Sequence, residues 1–159
     1  MGSAVEIKLQ EIDKLARKLN EFVLSGGDKS RLLLSLGMVI EEQTKARFDI
    51  QRDPQGDPWR ELTEAYKKRK ISGDKNYSAS SGGILERGGL MRQSIEHQLS
   101  GSDSVLVGSP MEYADYHQNA KSEKRRREFL GFSTDNIAEL QYVVDEFLKE
   151  QIVDAYSHN

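Results

Sequence analysis

Apolar residues in the first third of the chain recur at helical intervals. Within Val5–Leu24 they stand mostly three or four positions apart, with charged side chains between them: Ile12, Leu15, Leu19, Phe22 and Val23. This pattern predicts an amphipathic helix that ends at Gly26-Gly27. Asp28 can cap a second helix, which runs to about Phe48. Because the link between them is short, we expect the two helices to pack as a hairpin, with close packing at Gly37.

The segment after the second helix has turn and loop composition. Residues 51–59 contain two prolines and a glycine, which favour turns, and they end on the single tryptophan, Trp59. We expect Trp59 to anchor this turn against the helical hairpin, because an indole buries a large apolar area once its N–H is paired. Residues 62–70 predict a short, very basic helix. Residues 72–83 are rich in Ser, Gly, Asp and Lys, which predicts a mobile loop.

The second half of the chain predicts shorter elements. Ser94–Leu99 and Ser104–Gly108 flank a tight turn and predict a β-hairpin. Gly88–Arg92 predicts a turn or a single helical turn before the hairpin. Met111–Asn119 predicts another short helix after it.

The last element is a long helix. Ser133-Thr134-Asp135 provides a cap, and apolar residues then recur at helical spacing: Ile137, Leu140, Val144, Phe147, Leu148 and Ile152. With 159 residues, one sizeable core is more plausible than two small ones. The fold class is therefore predicted to be α+β, in one domain over residues 1–159, with an N-terminal helical hairpin, a small antiparallel β-hairpin sheet and a long C-terminal helix.

Composition narrows the classes of function. The chain has 23 basic and 26 acidic residues, and a net charge of −3 is too weak for general attraction to nucleic acid or to an anionic membrane. It contains no cysteine, which excludes disulfides, thiolate metal sites and a thiol nucleophile. No stretch approaches a membrane span, and the N-terminus lacks the pattern of a signal peptide. We expect a cytosolic chain without membrane contact.

One segment carries strong local charge. Residues 121–128 hold five basic and two acidic residues, a local net charge of +3. Such a run can contact phosphates, pair with an acidic protein neighbour or simply be solvated. Together with Lys67, Lys68, Arg69 and Lys70, residues 121–127 could form one positive face. A nucleic-acid-binding module is therefore the alternative function.

Candidates for catalysis are few. None of the three histidines has a partner at zinc-site spacing, and no nucleophile elbow or phosphate-binding loop occurs, so we expect no metal and no cofactor. Asp115 and His117 could form an acid–base pair, but positions two apart on a helix point to different faces. A hydrogen-bonded structural role for His117 is the better interpretation. A hydrolase whose carboxylates meet only in the fold stays open as a third class.

Five pieces of the chain carry motifs in a fixed order between about residues 30 and 152. The pieces are Phe48 with 51–59 and Leu62, then 85–95, 105–109, 113–118 and 127–133. The motif residues are Trp59, Gly89, Leu90, Tyr113, His117, Gln118, Phe129, Leu130 and Gly131. Their order and spacing resemble the phage virion morphogenesis family, the Mu-type tail completion proteins. Family members usually continue His-Gln with Phe-Gly, where this chain has Asn119-Ala120, and often place a proline near Arg127-Glu128.

The resemblance implies a structural protein, not an enzyme, of a bacteriophage or prophage. It implies tail completion or head–tail (neck) assembly through contacts with other tail or neck proteins, in the virion and, during assembly, in the host bacterial cytoplasm. We further expect a mobile loop at 120–128 and a cyclic homo-oligomer, because the basic run can face the acidic final helix of a neighbouring copy. The predicted contact residues are Lys124, Arg125, Arg126, Arg127, Glu146 and Glu150. DNA contact would be weak.

Overall fold

The computed structural model describes residues 2–8, 26–73, 83–86 and 88–158. Three strands and five helices lie in these ranges. In chain order they are β1 (Ser3–Lys8), α1 (Gly26–Ile50), α2 (Glu64–Ser72), α3 (Leu90–Gln93), β2 (Glu96–Ser100), β3 (Ser104–Ser109), α4 (Glu112–Gln118) and α5 (Thr134–Ser157). The predicted α+β class is confirmed, and so are the β-hairpin and the long C-terminal helix.

The strands form an antiparallel sheet in the order β1-β3-β2. The predicted hairpin supplies β2 and β3, with Ser100 opposite Ser104. The third strand corrects a prediction: residues 5–8, assigned to the first helix, lie in β1, where Ser3 pairs with Ser109. Val5 and Ile7 alternate with charged residues, but so short a segment fits the periodicity of a helix as well as that of a strand. Pairing with β3 therefore determines that these residues form a strand. Residues 9–24 lie outside the described residues. The first helix of the predicted hairpin therefore stays a prediction, whereas the second predicted helix is α1.

Helix α1 packs on the sheet and forms most of the core with it. Its inner face buries Leu32, Leu33, Leu36 and Ile40, against Val105 and Val107 of β3. The close approach expected at Gly37 is present, since a Cβ there would lie 2.7 Å from Cγ2 of Val105. The glycine therefore lets the helix axis come near the sheet.

Helix α5 runs antiparallel along α1. Near the end of α1, Gln43 Nε2 donates to Glu139 Oε2 at 2.5 Å, and nearer its start the Arg31 guanidinium lies 5.4 Å from the centre of the Phe147 ring. Buried Leu140, Val144, Phe147 and Leu148 line the inner face of α5. The start of α5 thus lies beside the end of α1.

The helix starts differ slightly from those predicted. Ser133 caps α5 as expected, because its hydroxyl accepts from the Asn136 N–H in a capping box. Asp28 lies in the first turn of α1, two residues after the start at Gly26, so it is not the N-cap. Its carboxylate still lies near the free N–H groups of that turn, where negative charge is favourable. Helix α2 begins after Thr63, whose Oγ1 accepts from the Tyr66 N–H at 3.3 Å.

Of the predicted loop at 72–83, only residues 72, 73 and 83 are described. Ser72 ends α2, and Gly73 follows with φ of 73°. The mobility of 72–83 stays a prediction, because residues 74–82 lie outside the described ranges.

Candidate functional site

The Phe129–Gly131 segment is held by the side-chain amide of Gln118. Nε2 of Gln118 donates to the Leu130 carbonyl at 2.9 Å, and Oε1 accepts from the N–H groups of Phe129 and Leu130, each at 3.0 Å. An amide used on both sides imitates a backbone pairing. Two motif pieces that stand apart in the sequence are therefore one contact in the fold.

Arg47 holds the same segment from the side of α1. Its side chain is buried, with Nη1 donating to the Phe129 carbonyl at 2.7 Å and Nη2 to the Gly131 carbonyl at 2.9 Å and to Asn136 Oδ1. Burial lowers the pKa of the Arg47 guanidinium, and the charge of Asp53 partly opposes this. One side chain thus joins α1, residues 129–131 and the start of α5.

Arg47 has no counterpart among the sequence-based predictions. A signal was present, since Thr44 and Arg47 follow Ile40 at intervals of four and three and so continue the apolar face of the helix. Both side chains are buried. A charged side chain such as Arg47 in such a stripe indicates buried hydrogen bonds, although it does not identify the acceptors.

Trp59 lies in the core, 4% exposed, beside these contacts. Its ring meets Phe48 edge-on with 5.3 Å between centroids, and its Nε1 donates to the Glu128 carbonyl at 2.8 Å. The turn before it packs against Gly131, where φ is 146° and a Cβ would lie 2.8 Å from Cγ of Pro54. The glycine of the Phe-Leu-Gly motif is therefore required both by backbone conformation and by space.

The four basic residues predicted as a partner surface are divided. Arg127 is 8% exposed, and its Nε and Nη2 donate to the Arg60 carbonyl at 3.2 and 3.0 Å. Lys124, Arg125 and Arg126 are exposed, in a turn where the N–H groups of the two arginines donate to the Ser122 carbonyl. Arg127 therefore belongs to the structural contacts, since its buried side chain holds the Arg60 carbonyl through two hydrogen bonds.

The acidic residues predicted as the other half of that surface lie on α5. Glu146 accepts from Lys149 Nζ at 2.7 Å, and Glu150 is exposed. The exposed basic residues Lys124, Arg125 and Arg126 precede the start of α5, whereas Glu146 and Glu150 lie in its second half. Within this one copy, the structure does not bring the two halves together.

Asp115 and His117 have separate partners. Asp115 Oδ1 accepts from Asn119 Nδ2 at 2.7 Å, while His117 Nδ1 lies 3.4 Å from the Arg125 carbonyl. The His117 ring also meets Tyr116 edge-on. This arrangement supports the structural interpretation of His117, which links α4 to the turn at residues 122–126, called the basic turn below.

Burial lowers the pKa of His117. The hydrogen bond to the Arg125 carbonyl raises this pKa, and the charge of Arg127 lowers it further. A lowered folded-state pKa means that the unfolded chain binds more protons at mildly acid pH. We expect the free energy of unfolding to rise with pH from the folded-state pKa of His117 up to the unfolded value near 6.5. Urea unfolding at several pH values should show this slope, and His117→Gln should reduce it. Equal slopes in both proteins would contradict the assignment.

An open groove of about 990 Å³ lies between α2, residues 84–85 and 90–91, α4 and the basic turn. Apolar side chains form its floor: Leu62, Ile84, Leu85, Leu90 and Met91. Tyr66, Tyr113 and Tyr116 line it with half-exposed rings. Cations complete the wall: Arg60, Arg69, Lys70, Lys124, Arg125 and Arg127. We call this surface the tyrosine–basic groove; the motif residues Leu90, Tyr113 and His117 help to line it.

The groove joins the two basic segments that the sequence singled out. Arg69 lies 5.8 Å from the centre of the Tyr66 ring, and Arg125 lies 5.7 Å from that of Tyr116. Such stacking holds a guanidinium beside an aromatic face and leaves its charge exposed. Lys67 faces carboxylates instead, Glu61 at 2.8 Å and Glu64 at 3.2 Å. No local pattern predicts the groove, because four separate parts of the chain form it.

The remaining motif residues shape one wall of the groove. Gly89 has φ of 71° and precedes α3, so the turn into this helix favours glycine. Leu90 is exposed on the groove side, while Met91 is buried beneath it. Arg92 fixes the same turn to α1 by donating to the Lys45 carbonyl and to Asp49.

No group of three or more His, Asp or Glu side chains that could hold a metal ion occurs among the described residues. None of the helices in the described ranges is long and apolar enough to cross a membrane. His97, on β2, pairs with Glu41 of α1 at 2.6 Å.

The fold and its motif contacts define a small α+β protein whose recognisable residues hold chain segments around an exposed groove. Residues 7–149 match the model of the phage virion morphogenesis family, and the chain belongs to this family. It is 29% identical over 145 residues to the Mu-like prophage FluMu G protein 1 of Haemophilus influenzae, a match that covers 89% of this chain and 88% of that protein. No solved structure matches the chain. The resemblance given by the motifs is confirmed, and the chain is a phage or prophage protein of virion morphogenesis.

Proposed function

We propose that the protein is a structural virion component that acts in tail completion or head–tail (neck) joining, without catalysis, by binding other tail or neck proteins. It works in the virion, and during assembly in the host bacterial cytoplasm. Family membership and the Mu-like prophage relative support the virion role. The proposal extends this role to a particular stage of assembly.

One observation carries the proposal: the motif residues are used for internal contacts. Trp59, Gln118 and Phe129 are occupied by packing and by backbone hydrogen bonds. What they build and leave exposed is the tyrosine–basic groove, a surface with an apolar floor and a charged wall. Tyrosine and arginine are the residue types that dominate protein interfaces. The suggested acid–base pair, Asp115 with His117, is separated by other partners, which also favours binding.

The proposal is tested by removing the gene from an inducible prophage. Electron microscopy of the induced lysate should show filled heads and tails that are not joined, or tails of abnormal length, and a plasmid copy should restore infectious particles. Normal infectious particles without the protein would contradict the proposal. A plasmid copy with Arg69→Glu and Arg125→Glu should fail to complement, because both residues line the groove.

A matched control is available in the neighbouring positions. Lys68 and Arg126 are exposed and do not line the groove. Lys68→Glu with Arg126→Glu changes the net charge by the same amount in the same two segments. This variant should complement, and failure of both variants alike would make total charge, and not the groove, responsible.

The second candidate is binding of nucleic acid in the groove. The observation that favours it is the convergence of cations from both basic segments. Affinity for DNA should then fall steeply with salt, and the groove variant should bind more weakly than its control. The apolar floor and the net charge of −3 favour a protein partner instead.

A further inference from the structure

The last turns of α5 present an apolar surface to solvent. Leu148 is the last buried residue, and beyond it Val153 is 61% and Tyr156 80% exposed. With Tyr142 these side chains form one stripe on the face opposite the buried residues of α5, by helical periodicity. We call residues 149–157 the terminal segment of α5.

Acidic side chains flank that stripe. Glu146 and Glu150, seven and three positions before Val153, lie along one side of the stripe. The tyrosine–basic groove has the opposite character, with four exposed cations, Arg60, Arg69, Lys124 and Arg125, and, among its lining residues in the described ranges, Glu61 as the one carboxylate. An apolar helix face with an acidic flank fits an apolar floor with a basic wall.

The two surfaces lie at opposite ends of the molecule. Arg31, near the start of α1, contacts Phe147, so the terminal segment of α5 continues past the start of α1. The groove is attached at the other end of α1, through Phe48 with Trp59 and through Arg92 with Asp49. Residues 31 and 48 are about 25 Å apart along the helix at 1.5 Å per residue. One copy therefore cannot place its own terminal segment in its own groove.

We propose that the terminal segment of α5 from one copy binds in the tyrosine–basic groove of a second copy. This is recognition of an amphipathic helix by a groove, in which Val153 and Tyr156 contact the apolar floor and Glu146 and Glu150 face Arg69 and Arg125. The apolar contacts supply most of the affinity, because exposed ion pairs contribute little each.

The contact is heterologous, since it joins two different patches. After two copies bind, one has a free groove and the other a free helix end. The same contact can therefore repeat until a ring closes. Its part in particle assembly rests on the proposed function, but the contact itself is a property of the chain in solution. The two can therefore be tested separately.

Cross-linking in solution tests the contact. The natural chain has no cysteine, so introduced thiols are the only ones present. A Tyr113→Cys protein, with its thiol in the groove, is mixed with a Val153→Cys protein and oxidised. The mixture should form disulfide-linked dimers, whereas each protein alone should form few. Met38→Cys, half exposed on α1, replaces Val153→Cys as the control and should give only background.

Charge variants test whether the groove carries the contact. Arg69→Glu with Arg125→Glu in the Tyr113→Cys protein should lower the yield of mixed dimers about tenfold, the effect of losing two exposed ion pairs. Lys68→Glu with Arg126→Glu should leave the yield unchanged. Glu146→Lys with Glu150→Lys in the Val153→Cys protein should restore the yield that the Arg69→Glu/Arg125→Glu variant loses. Circular dichroism should confirm that all variants are folded.

Three results would overturn the inference. A mixed-dimer yield no higher than with Met38→Cys would exclude this pair of surfaces. Strong dimerisation of Val153→Cys alone would show that the α5 stripe binds itself. Loss of cross-linking when a single-stranded oligonucleotide is added before oxidation, with weaker oligonucleotide binding in the groove variant, would assign the groove to nucleic acid. Specific cross-linking together with normal particles from a gene deletion would contradict only the proposed function. Background cross-linking together with defective particles from the deletion would contradict only this inference.

Discussion

Replacing Trp59 with alanine should lower the free energy of unfolding by about 3–5 kcal/mol. The indole is 4% exposed and packs edge-on against Phe48, so alanine leaves a cavity where the turn meets the end of α1. It also leaves the Glu128 carbonyl without its donor. Chemical denaturation followed by far-ultraviolet circular dichroism measures the change, since the variant has lost the only tryptophan.

Trp59→Phe separates the two contributions. Phenylalanine keeps most of the apolar area and loses only the hydrogen bond to Glu128, a loss of about 1–2 kcal/mol. An unchanged midpoint in Trp59→Ala would show that the ring does not anchor the turn in solution. Equal losses in both variants would assign the effect to the hydrogen bond alone.

The second large effect is expected for Arg47→Met, about 3 kcal/mol of lost stability. Methionine has a similar length and fills much of the volume, but the Phe129 and Gly131 carbonyls lose their donor inside the protein, and Asn136 Oδ1 keeps only the Ser133 N–H. Such buried acceptors recover no bond from water unless the structure opens. The unfolding midpoint should therefore fall, with hydrogen exchange accelerated first in residues 129–136.

The same substitution at Arg52 is the control. Arg52 is exposed, and its Nη1 donates to the Gly56 carbonyl at 2.6 Å within one turn. Arg52→Met should change stability by less than about 0.5 kcal/mol. Similar effects at positions 47 and 52 would mean that the buried contacts of Arg47 contribute no more than a surface turn.

Elements with strong local signals were predictable. The capping box at Ser133 and the helical repeat behind it sufficed for α5, and two apolar runs around a tight turn sufficed for the β-hairpin. β1 was not predictable, because its alternation is short and its partner strand lies far away in the sequence. Local pattern contains no information on that pairing.

The candidate site shows the same division. The order of motif pieces led to the family without explaining any piece. Gln118, Phe129 and Leu130 are recognisable together because one amide binds the backbone of the other two, which only the fold shows. Arg127 shows where the sequence misleads. Four consecutive basic residues suggest one charged surface, but the sequence does not show which of their side chains is buried. Burial depends on the Arg60 carbonyl, more than sixty positions away.

The place of β1 in the sheet has a consequence for how the chain folds as it is made. Ser3 pairs with Ser109, so β1 leaves the ribosome long before its partner, and its pairing closes a loop of about a hundred residues. The entropy of that closure grows only slowly with length, but contacts between distant residues form late. The hairpin of β2 and β3 can form on its own and offers β3 as a template edge. The first residues to be synthesised in the described fold are thus among the last to take their place.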